Sequence, residues 1–208
     1  MALFKTLESE NWQVALWKVE ESVDELLALV KLNDAQLLEI KSLKREQRQK
    51  EKLVSIHLVH LLTLSDVIVK YKPNGAPYIE GSNSHISITH TKGWVAVQLY
   101  AFDVAGIDIE YRSDRILRVA HKFIANKELA FVPNDFKTDY FNLIWCAKET
   151  LYKIVQKEGL DFIDQLQIEP FILNKDGVIT GLVKFDSVSR SYQMGYCVSD
   201  DWYLVYRL

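Results

Sequence analysis

Three carboxylates and a handful of cations are the residues of this sequence whose types and spacing could do chemistry. Asp108 and Glu110 stand two apart in Ile107-Asp108-Ile109-Glu110-Tyr111, so in a β-strand both carboxylates project from one face. Like charges held together either share a proton or need a cation between them, and oxygen-only ligands favour Mg²⁺, Mn²⁺ or Ca²⁺. Taken alone, such a triplet is more often the wet face of an antiparallel strand. The stretch around Trp145 changes that weighting. Its apolar residues Tyr140, Leu143, Ile144, Ala147, Leu151, Ile154 and Val155 form one helical stripe. Beside it Trp145, Lys148, Glu149, Tyr152 and Lys153 fall at i, i+3, i+4, i+7 and i+8, which puts a carboxylate and two ammonium groups on one helical edge flanked by aromatics. In isolation Glu149 and Lys153 are an ordinary i,i+4 ion pair. Taken together with His90, the residues Asp108, Glu110, Glu149, Lys148 and Lys153 offer hard oxygen ligands and several cationic or hydrogen-bonding groups, which is what a metal-bound pyrophosphate requires. His57, His60, His85 and His121 show no comparable grouping and read as structural, and Lys70 and Lys72 beside Pro73 read on their own as solvated loop charges.

The elements that must hold these residues follow from periodicity. Rough alternation predicts a strand over 12–19, and Ser22 with Glu25 has capping-box spacing at the start of a helix. A second helix starts near Asn33. Its apolar residues give way to a charged run over 44–52, read as a solvated helical face or a helix junction, before Leu53, Val54 and Ile56 resume the pattern. Two prolines and two glycines over 70–81 predict a loop without regular structure. Strands are expected over 85–90, 94–100 and 104–111, the first two joined by a turn at Thr91-Lys92-Gly93. Helices are expected over 114–124 and 139–157, the latter closed by Gly159, and strands over 165–173, 180–185, 192–198 and 202–206. This order describes an α+β protein of two similar α/β subdomains, 1–103 and 104–208, with no residue-by-residue internal repeat.

Composition bounds the function. The chain has 208 residues, 49% hydrophobic and 25% charged, which is a globular balance rather than a disordered one. A net charge of -3 gives no general attraction for nucleic acid or anionic membranes, so an anionic ligand must be held by local cations. Cys146 and Cys197 lack partners at metal-ligand spacing and argue against a disulfide framework. With no stretch of about 18 apolar residues and no continuous apolar start, the expectation is a soluble cytoplasmic protein.

Four segments, in order, carry a resemblance: Asn74-Gly75-Ala76-Pro77-Tyr78, Ile86-Ser87-Ile88-Thr89-His90-Thr91-Lys92-Gly93, Gly106-Ile107-Asp108-Ile109-Glu110, and Trp145-Cys146-Ala147-Lys148-Glu149-Thr150-Leu151-Tyr152-Lys153. Together they resemble the 4′-phosphopantetheinyl transferase superfamily, in its larger single-chain, pseudo-dimeric group, from about Lys44 onward. The resemblance implies that the two subdomains are related by a pseudo-twofold axis, with the active site between them, in a monomer. It implies transfer of the phosphopantetheine arm of coenzyme A to a serine of an apo acyl or peptidyl carrier protein, with release of adenosine 3′,5′-bisphosphate, as in fatty acid or secondary metabolite biosynthesis. On the matching positions Asp108, Glu110 and Glu149 would hold Mg²⁺, or Mn²⁺, against the pyrophosphate. Lys148 and Lys153 would neutralise phosphate charge, Lys148 taking part in catalysis, and His90 with Thr89 would meet the 3′-phosphate. Glu149 would also be the base that removes the serine proton.

Two positions depart from the family pattern. Ala76 stands where lysine is usual, for which Lys72 is a substitute, and Ile56 stands where an arginine often follows the Glu-x-Leu step. These two departures favour a rival reading, a non-catalytic module that binds coenzyme A or a carrier. A metal-dependent phosphohydrolase could use the same acids with water as nucleophile. Ile116, Leu117 and Phe123 could form an apolar carrier-docking patch, or equally the buried stripe of their own helix.

Overall fold

A computed structural model describes residues 3–185 and 188–208. The chain divides into two units, Met1–Val104 and Ala105–Leu208. The first contains β1 (Leu3–Glu8), β2 (Trp12–Lys18), α1 (Val23–Leu29), α2 (Asp34–Ser42), α3 (Glu46–Thr63), the short β3 (Val69–Tyr71) and β4 (Pro77–Ile79), and the hairpin β5 (His85–Thr91) and β6 (Trp94–Tyr100). Ser22 and Asn33 cap α1 and α2 in capping boxes closed by Glu25 and Gln36. The sheet runs β1-β2-β6-β5 with antiparallel neighbours. Across it lies α3, whose Leu53, Val54, Ile56, Leu58 and Val59 are buried against Trp17, Ile86, Val95 and Val97. Each such side chain contributes about 2 kcal/mol of burial, which is what holds so charged a helix in place.

The second unit contains β7 (Ile107–Tyr111), α4 (Ile116–Val119), α5 (Asn126–Leu129), the long α6 (Lys137–Val155), β8 (Leu166–Ile168), β9 (Asp176–Phe185), β10 (Val188–Val198) and β11 (Trp202–Arg207). Its antiparallel sheet runs β7-β11-β10-β9-β8. The stripe Leu143, Ile144, Ala147 and Leu151 of α6 packs on Ile179, Val183, Met194, Tyr203 and Val205. The two units share an order of elements. In each, a strand (β2 or β7) precedes the long helix (α3 or α6) and pairs antiparallel with the second strand of a later hairpin (β5–β6 or β10–β11). The α+β class follows, and among the described residues no helix is long and apolar enough to cross a membrane.

Several boundaries differ from expectation, each for a local reason. The proline- and glycine-rich stretch forms the β3–β4 hairpin. Gly75 takes φ +81 in its turn and Pro77 opens β4, where the missing N–H costs least. Strand β8 stops at Ile168 because Pro170 cannot continue a ladder. The helix expected over 114–124 breaks after Val119 into a 3₁₀ turn that sends Phe123 inward to 1% exposure. Gln156, not Gly159, closes α6 in the left-handed conformation, a placement that costs a residue with a Cβ about 1 kcal/mol. Strand β1, which the sequence pattern did not announce, pairs along the outer side of β2.

Candidate active site

The acids sit where β7 meets α6. Gly106 permits the approach. A Cβ there would lie 2.3 Å from Ile154 Cγ1 and 3.0 Å from the Thr150 carbonyl oxygen, so only glycine lets the start of β7 lie this close to the last turns of α6. Lys153 then reaches the strand, its Nζ donating to Asp108 Oδ1 at 2.7 Å and to the Ile107 carbonyl at 2.9 Å. Two turns earlier on the helix, Trp145 Nε1 donates to Glu110 Oε1 at 2.8 Å. Glu149 lies between them on the same helical edge. Cys146, on the buried side, donates its thiol to the Asp108 carbonyl at 3.1 Å. Burial first, then the neighbouring acids, raise that thiol well above its ordinary range, so it is a packing residue and not a nucleophile.

The carboxylates feel one another. Glu110 is pushed up to about 7, by burial first, then by Asp108, and then by Glu149, with the Trp145 hydrogen bond and Lys153 opposing. Glu149 is likewise pushed up to about 7 by burial and by Asp108, against Lys153. Two carboxyls poised to titrate near neutrality, beside a lysine, suit proton transfer and the capture of a cation. Among the described residues no three Asp, Glu, His or Cys side chains converge as a ready metal cage, so the acids form an electrostatically coupled group rather than a preformed ion site.

The placement of Lys148 corrects the expectation that it would meet a phosphate. Its side chain is fully buried, and Nζ donates to the carbonyls of Phe123 (2.6 Å) and Phe162 (2.7 Å) and to Glu128 Oε2 (2.7 Å). Three donated hydrogen bonds use every N–H of an ammonium, leaving nothing for a phosphate. One helical edge had been expected to carry both lysines. Lys148 and the strand-facing Lys153 are five residues apart, about 140° around the helix, which lets Lys148 turn toward the segment 123–128 instead. Glu128 is the residue that sequence reasoning missed, although an acid among Phe123, Leu129 and Phe131 was a signal. Phe123 is likewise buried and is no docking residue, whereas Leu117 remains 43% exposed.

In the first unit, His90 lies on a cleft of about 410 Å³ lined by Glu39, Arg48, Glu51, Lys52, Tyr71 and Gly75, among others. Arg48, Glu51, Lys52 and Ser55 recur at i, i+3, i+4 and i+7 of α3, so this part of the charged run lines the cleft rather than facing open solvent alone. Arg48 Nη1 donates to His90 Nε2 at 2.6 Å and sits 2.8 Å from Glu51 Oε2. Lys52 Nζ lies 4.2 Å over the Tyr71 ring and 2.9 Å from Glu39 Oε1. Thr89 and Lys72 do not join this group. Thr89 is buried on the opposite face of β5 from Ile88 and His90, as strand alternation requires, and Lys72 stands exposed at the β3–β4 turn, outside the cleft lining. Ile56 is 2% exposed in the core of the first unit, and Arg48 lines the cleft.

Residues 105–199, nearly the whole of the second unit with Asp108, Glu110 and Glu149 inside it, match the model of the 4′-phosphopantetheinyl transferase superfamily. No curated protein matches the chain. The second unit is therefore similar to the 4′-phosphopantetheinyl transferase superfamily over residues 105–199.

Proposed function

We propose that this protein transfers the 4′-phosphopantetheine arm of coenzyme A to a serine hydroxyl of an apo acyl or peptidyl carrier protein, releasing adenosine 3′,5′-bisphosphate. The observation that carries the reading is the coupled group of Asp108, Glu110 and Glu149 beside Lys153, in the part of the chain that matches the family. Oxygen-only donors that repel one another, one buried and two half-buried, fit a hard divalent ion, Mg²⁺ or Mn²⁺. Such an ion, held by Asp108, Glu110 and Glu149, would supply charge stabilisation for the pyrophosphate oxygens.

The chain's own groups do the rest. Lys153 lies 2.7 Å from Asp108 and would neutralise phosphate charge as the anhydride breaks. Glu149 would take the serine proton as Oγ bonds to the phosphorus carrying the pantetheine arm. The bond from that phosphorus to the bridging oxygen breaks, and adenosine 3′,5′-bisphosphate leaves with the electron pair. A carboxylate beside the ion is suited to this, because the ion keeps it ionised and ready to accept a proton. In the first unit Arg48, Lys52 and His90 would receive the nucleotide phosphates, with Arg48 in the fork geometry that phosphate favours. The reading of a non-catalytic module rests on Ala76 and Ile56, and Ile56 packs in the core of the first unit.

The test is the intact mass of an apo carrier protein after incubation with this protein, coenzyme A and Mg²⁺. A gain of one phosphopantetheine that chelator abolishes supports the transferase. No gain with several unrelated carriers, from folded protein that binds coenzyme A, refutes it in favour of the binding module. Free phosphopantetheine in solution would instead identify a hydrolase.

A further inference from the structure

Lys148 and Glu128 are both fully buried, and the site described above uses neither. Glu128 is satisfied from three sides: Oε2 accepts from Lys148 and from the Ala125 amide at 2.8 Å, and Oε1 accepts from the Ile168 amide at 2.7 Å. The pair therefore ties α6 to the entrance of α5, to β8 and to the loop at Phe162. The other two acceptors of Lys148 are the carbonyls of Phe123 and Phe162, and these are the residues whose rings flank Trp145. Phe123 stands edge-on at 5.0 Å, and Phe162 stacks at 5.4 Å. The indole held between them donates to Glu110. The connection runs without a gap from Lys148, through two backbone carbonyls, to the walls of Trp145 and so to an acid of the site.

We infer that Lys148, charge-balanced by Glu128, is a positioning residue that fixes the aromatic walls of Trp145 and thereby sets the Glu110 carboxylate. This assignment rests on the transferase reading for its consequence in catalysis, but the geometry it describes stands apart from it. A buried ammonium is well suited to the task, because each of its three donors is directional and water does not compete. A merely structural pair would be replaceable by a neutral one at no cost to the site.

The experiment compares Lys148→Met, the double variant Lys148→Met/Glu128→Gln, and Phe162→Leu with wild type. Lys148→Met alone strands a buried carboxylate and loses stability for that reason. The double variant removes both charges, keeps an acceptor for the Ile168 amide, and should recover most of that stability. Acrylamide quenching of the Trp145 emission, isolated by subtracting a Trp145→Phe background, reads the walls without coenzyme A, metal or carrier. The double variant is expected to be quenched more strongly than wild type, and its transfer rate should fall by about 10- to 100-fold, as for lost outer-shell partners at other ion sites. Phe162→Leu, at a half-buried wall outside the charged pair, should reproduce both effects in part. Wild-type quenching and wild-type transfer in the stable double variant, or in Phe162→Leu, would overturn the positioning role. A wild type that leaves the carrier mass unchanged refutes the transferase reading alone, since the quenching comparison still decides the role of Lys148.

Discussion

Gly106→Ala is the sharpest perturbation of the join between β7 and α6. The added methyl would sit 2.3 Å from Ile154 Cγ1, 3.0 Å from Ile154 Cδ1 and 3.0 Å from the Thr150 carbonyl oxygen. Side-chain rotation could relieve the first two contacts, but Ile154 is itself only 5% exposed and has little room to turn. Relieving the third requires α6 to move off the strand, because the carbonyl belongs to the helix backbone. Overpacking of this kind costs about 1–3 kcal/mol, a large part of a typical total of about 5–15 kcal/mol. The second unit should therefore lose stability, read by amide hydrogen exchange in β7 and α6 alongside urea unfolding, since exchange reports on this unit separately. Lys153 would be drawn from Asp108, so transfer should fall as well. A cycle with Ile154→Ala tests the cause. That change alone opens a cavity worth about 2–5 kcal/mol, yet in the double variant it frees the space the methyl needs, so the combined loss should be about 1 kcal/mol or more below the sum. Gly106→Ala within about 0.5 kcal/mol of wild type, or strict additivity in the cycle, would refute the argument that glycine is required for close approach.

Other expectations can be checked with the same proteins. Glu149→Gln, nearly isosteric, should lower transfer by at least about two orders of magnitude while circular dichroism and unfolding remain those of a folded protein; a smaller loss removes Glu149 as the base. Arg48→Met should raise the KM for coenzyme A far more than it lowers kcat, and an unchanged KM would mean that the α3 cleft does not hold the nucleotide. The ligand-free protein should also show a pH signature. Glu110 and Glu149 titrate near 7 in the fold against a usual 4.5, so the folded state holds protons that the unfolded chain releases. Their stabilising contribution is complete below about pH 4.5 and is lost as pH rises through about 7, a cost of about 3 kcal/mol for one group and less than twice that for the coupled pair. Urea unfolding from pH 5 to 8 should therefore show wild type losing stability relative to Glu110→Gln/Glu149→Gln, and parallel curves would contradict the assignment. Millimolar Mg²⁺ should remove the difference by favouring the ionised carboxylates.

Much of the fold was legible because it rests on local chemistry. The spacing of Ser22 with Glu25 announces the capping box that starts α1, and the helix start near Asn33 is where the structure adds a second box with Gln36. The α6 stripe from Tyr140 to Ile154 needs only the 3.6-residue period. Where sequence reading failed, a distant partner or a single backbone constraint had decided the matter. Pro170 ended β8, and a β-hairpin absorbed the prolines and glycines of 70–81 because Pro77 could open a strand that pairs only with β3. Strand β1 carries weak alternation and owes its existence to pairing with β2, which no local pattern of its own residues reveals.

The site was legible to the same extent and for the same reason. Asp108, Glu110, Glu149 and Lys153 could be grouped because strand alternation and helical spacing fix which face each occupies, and the join at Gly106 then brings those faces together. Spacing could not resolve Lys148. At i+3 from Trp145 it lies near the helical edge that carries Glu149, and a long flexible side chain can follow either of two directions from there. The choice was made by acceptors far along the chain: the carbonyl of Phe123, exposed by the break in the helix after Val119, the carboxylate of Glu128, and the carbonyl of Phe162. A similar ambiguity explains Arg48. A charged helical run is solvated unless something faces it, and what faces Arg48 is His90, forty-two residues away on β5. In both cases the residue type was informative and its direction was not. A charged side chain takes its role from the groups that satisfy it, and those groups are set by topology rather than by neighbours in sequence.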